Sequence, residues 1–310
     1  MKPNLKLHHL RDFVAIAQHQ SVRGAARSLE MAQPALTRSL RELERELNAS
    51  LVERHARGVV LTGIGQRFLL RAQSALEEIR RAGEEVAQLG GSLDGSVAVA
   101  LSTGAMLALL PTAIPAFRKA RPAAQLRLIE AVFPTVEQRL LDGQLDFYVG
   151  PQPENVPRPL RSDLYFRNER VIIARKGHPL RTARSLKQLL ACDWILTGLR
   201  ERVEQEFEEI FSAGGLAAPE SYMRVESTMG LLTILANTDA LALLPRQWTD
   251  SPMFKGVLEV VPVREKLLAP DIVLITRSGV PLTPVAEHFA DLLQRAAVQV
   301  TWPAPKASGR

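Results

Sequence analysis

Cysteine is almost missing from this 310-residue chain. Cys192 stands alone, so neither an intrachain disulfide nor a cysteine-based metal cluster can form. Its setting, Leu189-Leu190-Ala191-Cys192-Asp193-Trp194, reads as a helix end running into a buried strand, hence a packed, inert thiol. Long apolar runs are missing too. The most apolar segment, around residues 104–117, is broken by Pro111 and Pro115 and is too short to span a bilayer. The opening Met1-Lys-Pro-Asn-Leu-Lys-Leu-His-His holds no apolar core of signal-peptide length. A soluble, cytoplasmic protein without membrane contact is expected. Catalytic signatures are equally scarce: the sequence has no P-loop, GxGxxG after a strand, HExxH, GxSxG or metal-spaced histidine pair. His8-His9, His19, His178 and His288 are scattered, and His178 sits in the turn-like Lys176-Gly-His-Pro-Leu. No catalytic residue, metal or cofactor is expected.

What is present is ample core material, 46% hydrophobic residues, enough for two or three compact units. The net charge of +6 is uneven. Residues 1–65 hold ten Lys and Arg against six Asp and Glu, a net +4 that suits a polyanionic partner.

Two short amphipathic helices follow each other in residues 21–46. Val22, Ala25, Ala26 and Leu29 recur at helical spacing behind Ser21, a natural N-cap. Leu36, Leu40, Leu43 and Leu47 form a second stripe, and the opposite face carries Gln33, Pro34, Thr37, Arg38 and Arg41. That face is polar and cationic at its N-terminal end, as a helix entering a DNA major groove must be: Gln can bond an adenine edge, Arg a guanine edge, Thr a methyl or a phosphate. A solvated face on an ordinary helical hairpin is the alternative, and the helix pair alone does not choose between them.

The surroundings do. Leu10-Arg-Asp-Phe-Val-Ala-Ile-Ala, Ser21-Val-Arg-Gly-Ala-Ala-Arg-Ser-Leu and the run Gln33-Pro-Ala-Leu-Thr-Arg-Ser-Leu-Arg-Glu-Leu-Glu closely resemble the N-terminal domain of LysR-type transcriptional regulators. Leu51-Val-Glu-Arg, Arg57-Gly and Leu61-Thr-Gly-Ile-Gly continue the match, and the chain's length and layout fit the family from end to end. One departure is Ala32, where the family usually has a Ser capping the recognition helix; losing that cap costs on the order of 1 kcal/mol. Leu7, Leu10, Phe13, Val14 and Ala17 predict a first helix packed under the pair. Residues 52–54 and 59–61 flank a turn and read as a two-stranded wing, with Arg57 at its tip able to reach phosphate or a narrow minor groove. The expected DNA contacts are Ser21, Arg23, Gln33, Pro34, Thr37, Arg38, Arg41, Arg54 and Arg57. His55 is read as a plain turn residue.

Thr62 should cap a long helix, residues 63–89, in which Phe68, Ala72, Ala75, Ile79, Ala82, Val86 and Leu89 form a heptad seam. We read it as a dimer contact, with Phe68, Ala72, Ile79 and Val86 as its anchors. Gly90 to Gly95 is a linker. From Ser96 strands alternate with helices, which predicts parallel sheets covered on both faces. The expected organisation is a winged helix-turn-helix (1–62), a linker and dimerisation helix (63–89) and an effector domain (90–300), ending in a frayed tail (301–310). Two lobes with two crossovers resemble the periplasmic-binding-protein-like α/β effector domain of the family, with lobe I about 91–161 plus 267–300 and lobe II about 162–266.

Ligands of open α/β sheets lie beyond strand carboxyl ends. Ser102-Thr103-Gly104, Gly150-Pro151, Thr197-Gly198 and Ser227-Thr228 are such ends, and Phe133-Pro134 adds an apolar wall. The expected effector contacts are Ser102, Thr103, Phe133, Pro134, Gly150, Thr197, Ser227 and Thr228, and their hydroxyls and helix N-termini favour a small carboxylate or sulfonate. Taken singly, each is better read as a cap or turn; it is the four together at the cleft expected in this family that favour binding. A transport solute-binding protein would lack the basic helix pair, a ligand-independent architectural DNA-binding protein would not need two lobes, and an enzyme would need a catalytic motif. A regulator uses every segment. The resemblance implies a homodimer, paired into a homotetramer, on a pseudo-palindromic operator of double-stranded DNA, with RNA polymerase as a further contact.

Overall fold

A computed structural model of the protein describes residues 4–55, 58–197, 200–220 and 222–300. The chain divides into two compact units, residues 1–92 with 138–145 and residues 93–137 with 146–310.

In the first unit, α1 (Leu7–His19), α2 (Val22–Ser28) and α3 (Gln33–Leu47) enclose a core of Phe13, Ile16, Ala25, Leu36, Leu40 and Leu43. These are the apolar stripes of three amphipathic helices, each too short to persist alone in water. A buried polar contact fixes the rotation of α3: Ser39 Oγ donates to the buried Asp12 carboxylate of α1 at 2.6 Å. The wing is the antiparallel pair β1 (Val52–His55) and β2 (Gly58–Leu61). It is tied to the α1–α2 corner by Val59 N–H donating to the Gln20 carbonyl at 2.9 Å. α4 (Gly63–Leu89) starts at Thr62, whose Oγ1 accepts from Gly65 N–H at 2.9 Å. Gly65 itself is required by close approach, since a Cβ there would lie 2.0 Å from the Leu51 carbonyl oxygen. Segment 138–145 joins this unit, where Arg81 of α4 donates to the Gly143 carbonyl.

The second unit holds two five-stranded sheets. In chain order its elements are β3 (Ser96–Leu101), α5 (Thr103–Ala120), β4 (Gln125–Glu130) and then, past α6 (Glu137–Leu141), which falls almost wholly in the first unit's segment 138–145, β5 (Phe147–Pro151), β6 (Leu160–Phe166), β7 (Arg170–Arg175), β8 (Trp194–Leu196) and α7 (Arg200–Ser212). They continue as β9 (Tyr222–Arg224), α8 (Thr228–Asn237), β10 (Leu241–Pro245), α9 (Gln247–Asp250), β11 (Leu258–Val261), β12 (Ile272–Arg277) and α10 (Pro284–Val298). Lobe I has strand order β4-β3-β5-β12-β6 and lobe II β11-β7-β10-β8-β9. Phe117, Phe147 and Phe289 pack the first lobe; Trp194, Phe207 and Phe211 pack one face of the second.

Three expectations change. The sheets are mixed, not parallel: β12 runs antiparallel to β5 and β6, and β7 antiparallel to β10 and β11. β12 enters on the chain's return from the other lobe and inserts antiparallel between β5 and β6, which the stretch 152–159 joins and which run in the same direction on either side of it. β6 was not foreseen, and it belongs to lobe I, so the division at 161/162 falls inside a strand. As an edge strand carrying Arg161 and Asp163 it lacks the apolar run that marks buried strands. Strands and helices do not alternate throughout: between β7 and β8 residues 186–189 form only a single 3-10 turn. The tail 301–310 lies outside the described residues. Among the described residues no helix is long and apolar enough to cross a membrane, and no cluster of three or more His, Cys, Asp or Glu could hold a metal.

Candidate DNA-binding face and inter-lobe cleft

α3 presents Gln33, Pro34, Thr37, Arg38, Arg41 and Arg45 along one concave face, its leucines turned inward. Gln33, Pro34, Arg38 and Arg41 are exposed and Thr37 is half-buried. Arg38 and Arg41 make no ion pair among the described residues, so both guanidinium groups are available to an outside anion. Ala32 sits at the N-cap of α3 with no side-chain cap, leaving Pro34 to fix the first turn. Ser21 is committed as the cap of α2, its Oγ accepting from Gly24 N–H at 3.1 Å, and Arg23, the second residue of that helix, is exposed. Arg57 lies outside the described residues, and Arg54 is described by its backbone alone.

The heptad seam of α4 splits into two parts. Phe68 meets Phe13 at 5.4 Å between ring centroids, and Ala72 is buried in the core of its own chain, so these two serve the first unit itself. The physical reason is that α1 already covers this end of the stripe. Further along, Ile79, Val86 and Leu89 are 51%, 71% and 75% exposed. Three large apolar side chains at heptad spacing and open to water form a surface that a partner can cover.

In the second unit, Ser102, Thr103, Phe133, Thr197 and Thr228 converge on one cavity of about 190 Å³ between the two sheets. Ser227 stands at its outer mouth. Gly150 lies behind the wall, where a Cβ would fall 2.2 Å from Tyr148 Oη; its lack of a side chain lets the Tyr148 ring lie across the cavity floor. Phe133 is 6.0 Å from that ring, and Pro134, joined to it by a cis peptide, is exposed and off the wall.

The hydroxyls are not idle. Ser102 Oγ caps α5 by accepting from Ala105 N–H at 3.3 Å, and Ser227 Oγ caps α8 by accepting from Gly230 N–H at 3.2 Å. Thr103, the first residue of α5, donates to Glu130 Oε1 at 2.5 Å, and Thr228, the first residue of α8, donates to the same oxygen. A carboxylate of the chain itself therefore sits where two helix N-termini from opposite lobes meet. Deeper in, Arg170 and Glu206 pair at 2.6 Å, both largely shielded from solvent, and Trp248 closes the apolar end. Glu130, Arg170, Glu206, Asn168 and Trp248 were missed in the sequence. Glu130 alone carried a signal, as the last residue of a strand whose C-terminal end opens on the cleft. Cys192 is partly buried, which pushes its thiol up, with Asp193 adding to the shift; the thiol is poorly suited to attack.

Comparison with known proteins agrees with both halves. Residues 7–66 match the family described as bacterial regulatory helix-turn-helix protein, lysR family, and residues 90–298 match the LysR substrate binding domain. The HTH-type transcriptional regulator GbpR of Azospirillum brasilense is 28% identical over 301 residues, covering 96% of this chain and 88% of that protein. The SDS degradation transcriptional activation protein of a Pseudomonas species is 30% identical over 298 residues, covering 93% and 95%. Among solved structures, full-length OxyR from Pseudomonas aeruginosa superposes with a TM-score of 0.71 at 24% identity, covering 97% of this chain and 99% of that one. Full-length CbnR complexed with its target DNA gives 0.70 at 21% identity, covering 94% and 100%. With its helix-turn-helix, its two-lobed domain and these matches over nearly the whole length, the chain belongs to the LysR family of DNA-binding transcriptional regulators.

Proposed function

We propose that this regulator reads a pseudo-palindromic operator as a dimer and that a small molecule held between its lobes sets the outcome. The carrying observation is the exposed face of α3, with Arg38 and Arg41 unpaired among the described residues. In this reading Gln33, Thr37, Arg38 and Arg41 face the bases and nearest phosphates, Ser21 and Arg23 contact the backbone, and the wing arginines Arg54 and Arg57 reach the flanking phosphates. The exposed part of α4 joins two subunits so that two recognition helices meet two half-sites. Pairing of dimers into a tetramer, bending of the DNA and contact with RNA polymerase complete the scheme, which operates in the cytoplasm. The ligand acts by binding one arrangement of the lobes better than another. An anionic headgroup, the reading from the hydroxyls alone, would have to displace Glu130 from Thr103 and Thr228.

The test is retention of genomic fragments by the purified protein, with and without a panel of small aromatic acids, alcohols and amines. Retention of a few fragments sharing paired half-sites is expected, with one class of compound shifting the footprint. Thr197→Val should weaken the compound's effect and leave ligand-free retention unchanged. Retention without sequence preference, insensitive to every compound, would favour an architectural DNA-binding protein.

A further inference from the structure

The natural anion seat of the cleft is already taken. The Thr103 and Thr228 hydroxyls, at the first turns of two helices, are both engaged on Glu130 Oε1, and the Arg170 guanidinium is engaged on Glu206. Glu130 is exposed, and its Oε2 takes no protein partner among the described residues. The charges point the same way. Glu130, Glu206 and Glu226 against Arg170 leave two excess negative charges around the cavity and its mouth, and the two helix N-termini that would attract an anion already hold Glu130.

We propose that Glu130 makes the cleft selective for a small, non-anionic effector that places a hydrogen-bond donor, a hydroxyl or an ammonium group, on Glu130. This rests on the effector reading of the cleft given above. A carboxylate or sulfonate would meet a like charge at its natural seat.

The test uses the full-length protein and matched probes that differ only in headgroup: benzyl alcohol, benzylamine and benzoate, with their cyclohexylmethyl counterparts. Affinities are read by ligand-observed NMR and calorimetry for the wild type, for Glu130→Gln, which keeps shape but removes charge, and for Thr197→Trp, which fills the cavity. Melting curves establish that each variant folds. In the wild type the alcohol or the amine should bind about tenfold or more tightly than the carboxylate of the same skeleton. Glu130→Gln should raise carboxylate affinity about tenfold, and it separates the two donor types, since the amine loses affinity and the alcohol keeps it. Thr197→Trp should abolish all binding. Carboxylates binding the wild type as tightly as the alcohols and amines, or a ranking unmoved by Glu130→Gln, would overturn the inference and leave the cleft reading standing. Binding that survives Thr197→Trp, or no binding of any probe to any folded protein, would remove the cleft reading as well.

Discussion

His9 is buried where α1 meets α3, its Nε2 3.6 Å from the Glu42 carboxylate. Burial holds its pKa below the ordinary 6.5, and the neighbouring His8 adds to the shift, while Glu42 opposes it. A histidine with a lowered folded pKa is kept neutral by the fold. Above pH 6.5 the folded and unfolded chains are both neutral at this position and the full stability is present; as the pH falls through the folded value, the unfolded chain gains the proton more readily and stability is lost. Chemical denaturation from pH 7.5 to 5 should show a steeper loss for the wild type than for His9→Gln, and parallel profiles would contradict this assignment. At this scale the sequence was legible where a residue acts on its near neighbours, as in the caps at Ser21 and Thr62. It was silent where partners are distant: Thr103 and Thr228 read as free hydroxyls because Glu130 lies 27 and 98 residues away in the chain.

Among elements, α3 lacks a side-chain N-cap, as α1 and α10 also do. Its N-cap is Ala32, so the first-turn N–H groups lack the side-chain acceptor that α2, α4, α5 and α8 all have. Ala32→Ser should stabilise the protein by about 1 kcal/mol, read as a higher denaturation midpoint, and should tighten DNA binding if the hydroxyl also meets a phosphate. An unchanged midpoint would show that Pro34 already fixes the turn. Helices and buried strands were legible because apolar periodicity reports burial directly, and α1 through α4 lie where the stripes placed them. Strand direction was not, since periodicity carries no information on which neighbour a strand takes. The antiparallel insertion of β12 between β5 and β6 is fixed by chain return from the other lobe. The same ignorance of neighbours hid the fate of Phe68 and Ala72, which look like seam residues until α1 covers them.

For the whole molecule, the proposed dimer rests on the exposed Ile79, Val86 and Leu89. Because they are exposed in the single chain, Ile79→Glu should leave the subunit's melting behaviour close to the parent's under dissociating conditions, yet lower the assembly mass in sedimentation or scattering. An unchanged mass would place the main subunit contact elsewhere. DNA affinity should fall steeply with salt, because cations on α3 and the wing release counterions from phosphate. These expectations converge on the claim that α3 reads a specific operator. The most direct measurement is a footprint of wild type and Arg38→Ala on the same retained fragment, titrated over salt. The account predicts a protected pair of half-sites for the wild type. Arg38→Ala should bind roughly ten- to hundred-fold more weakly, about 1 to 3 kcal/mol if Arg38 reads a base, with fold and assembly mass unchanged. Equal protection by both proteins at every salt concentration would contradict it.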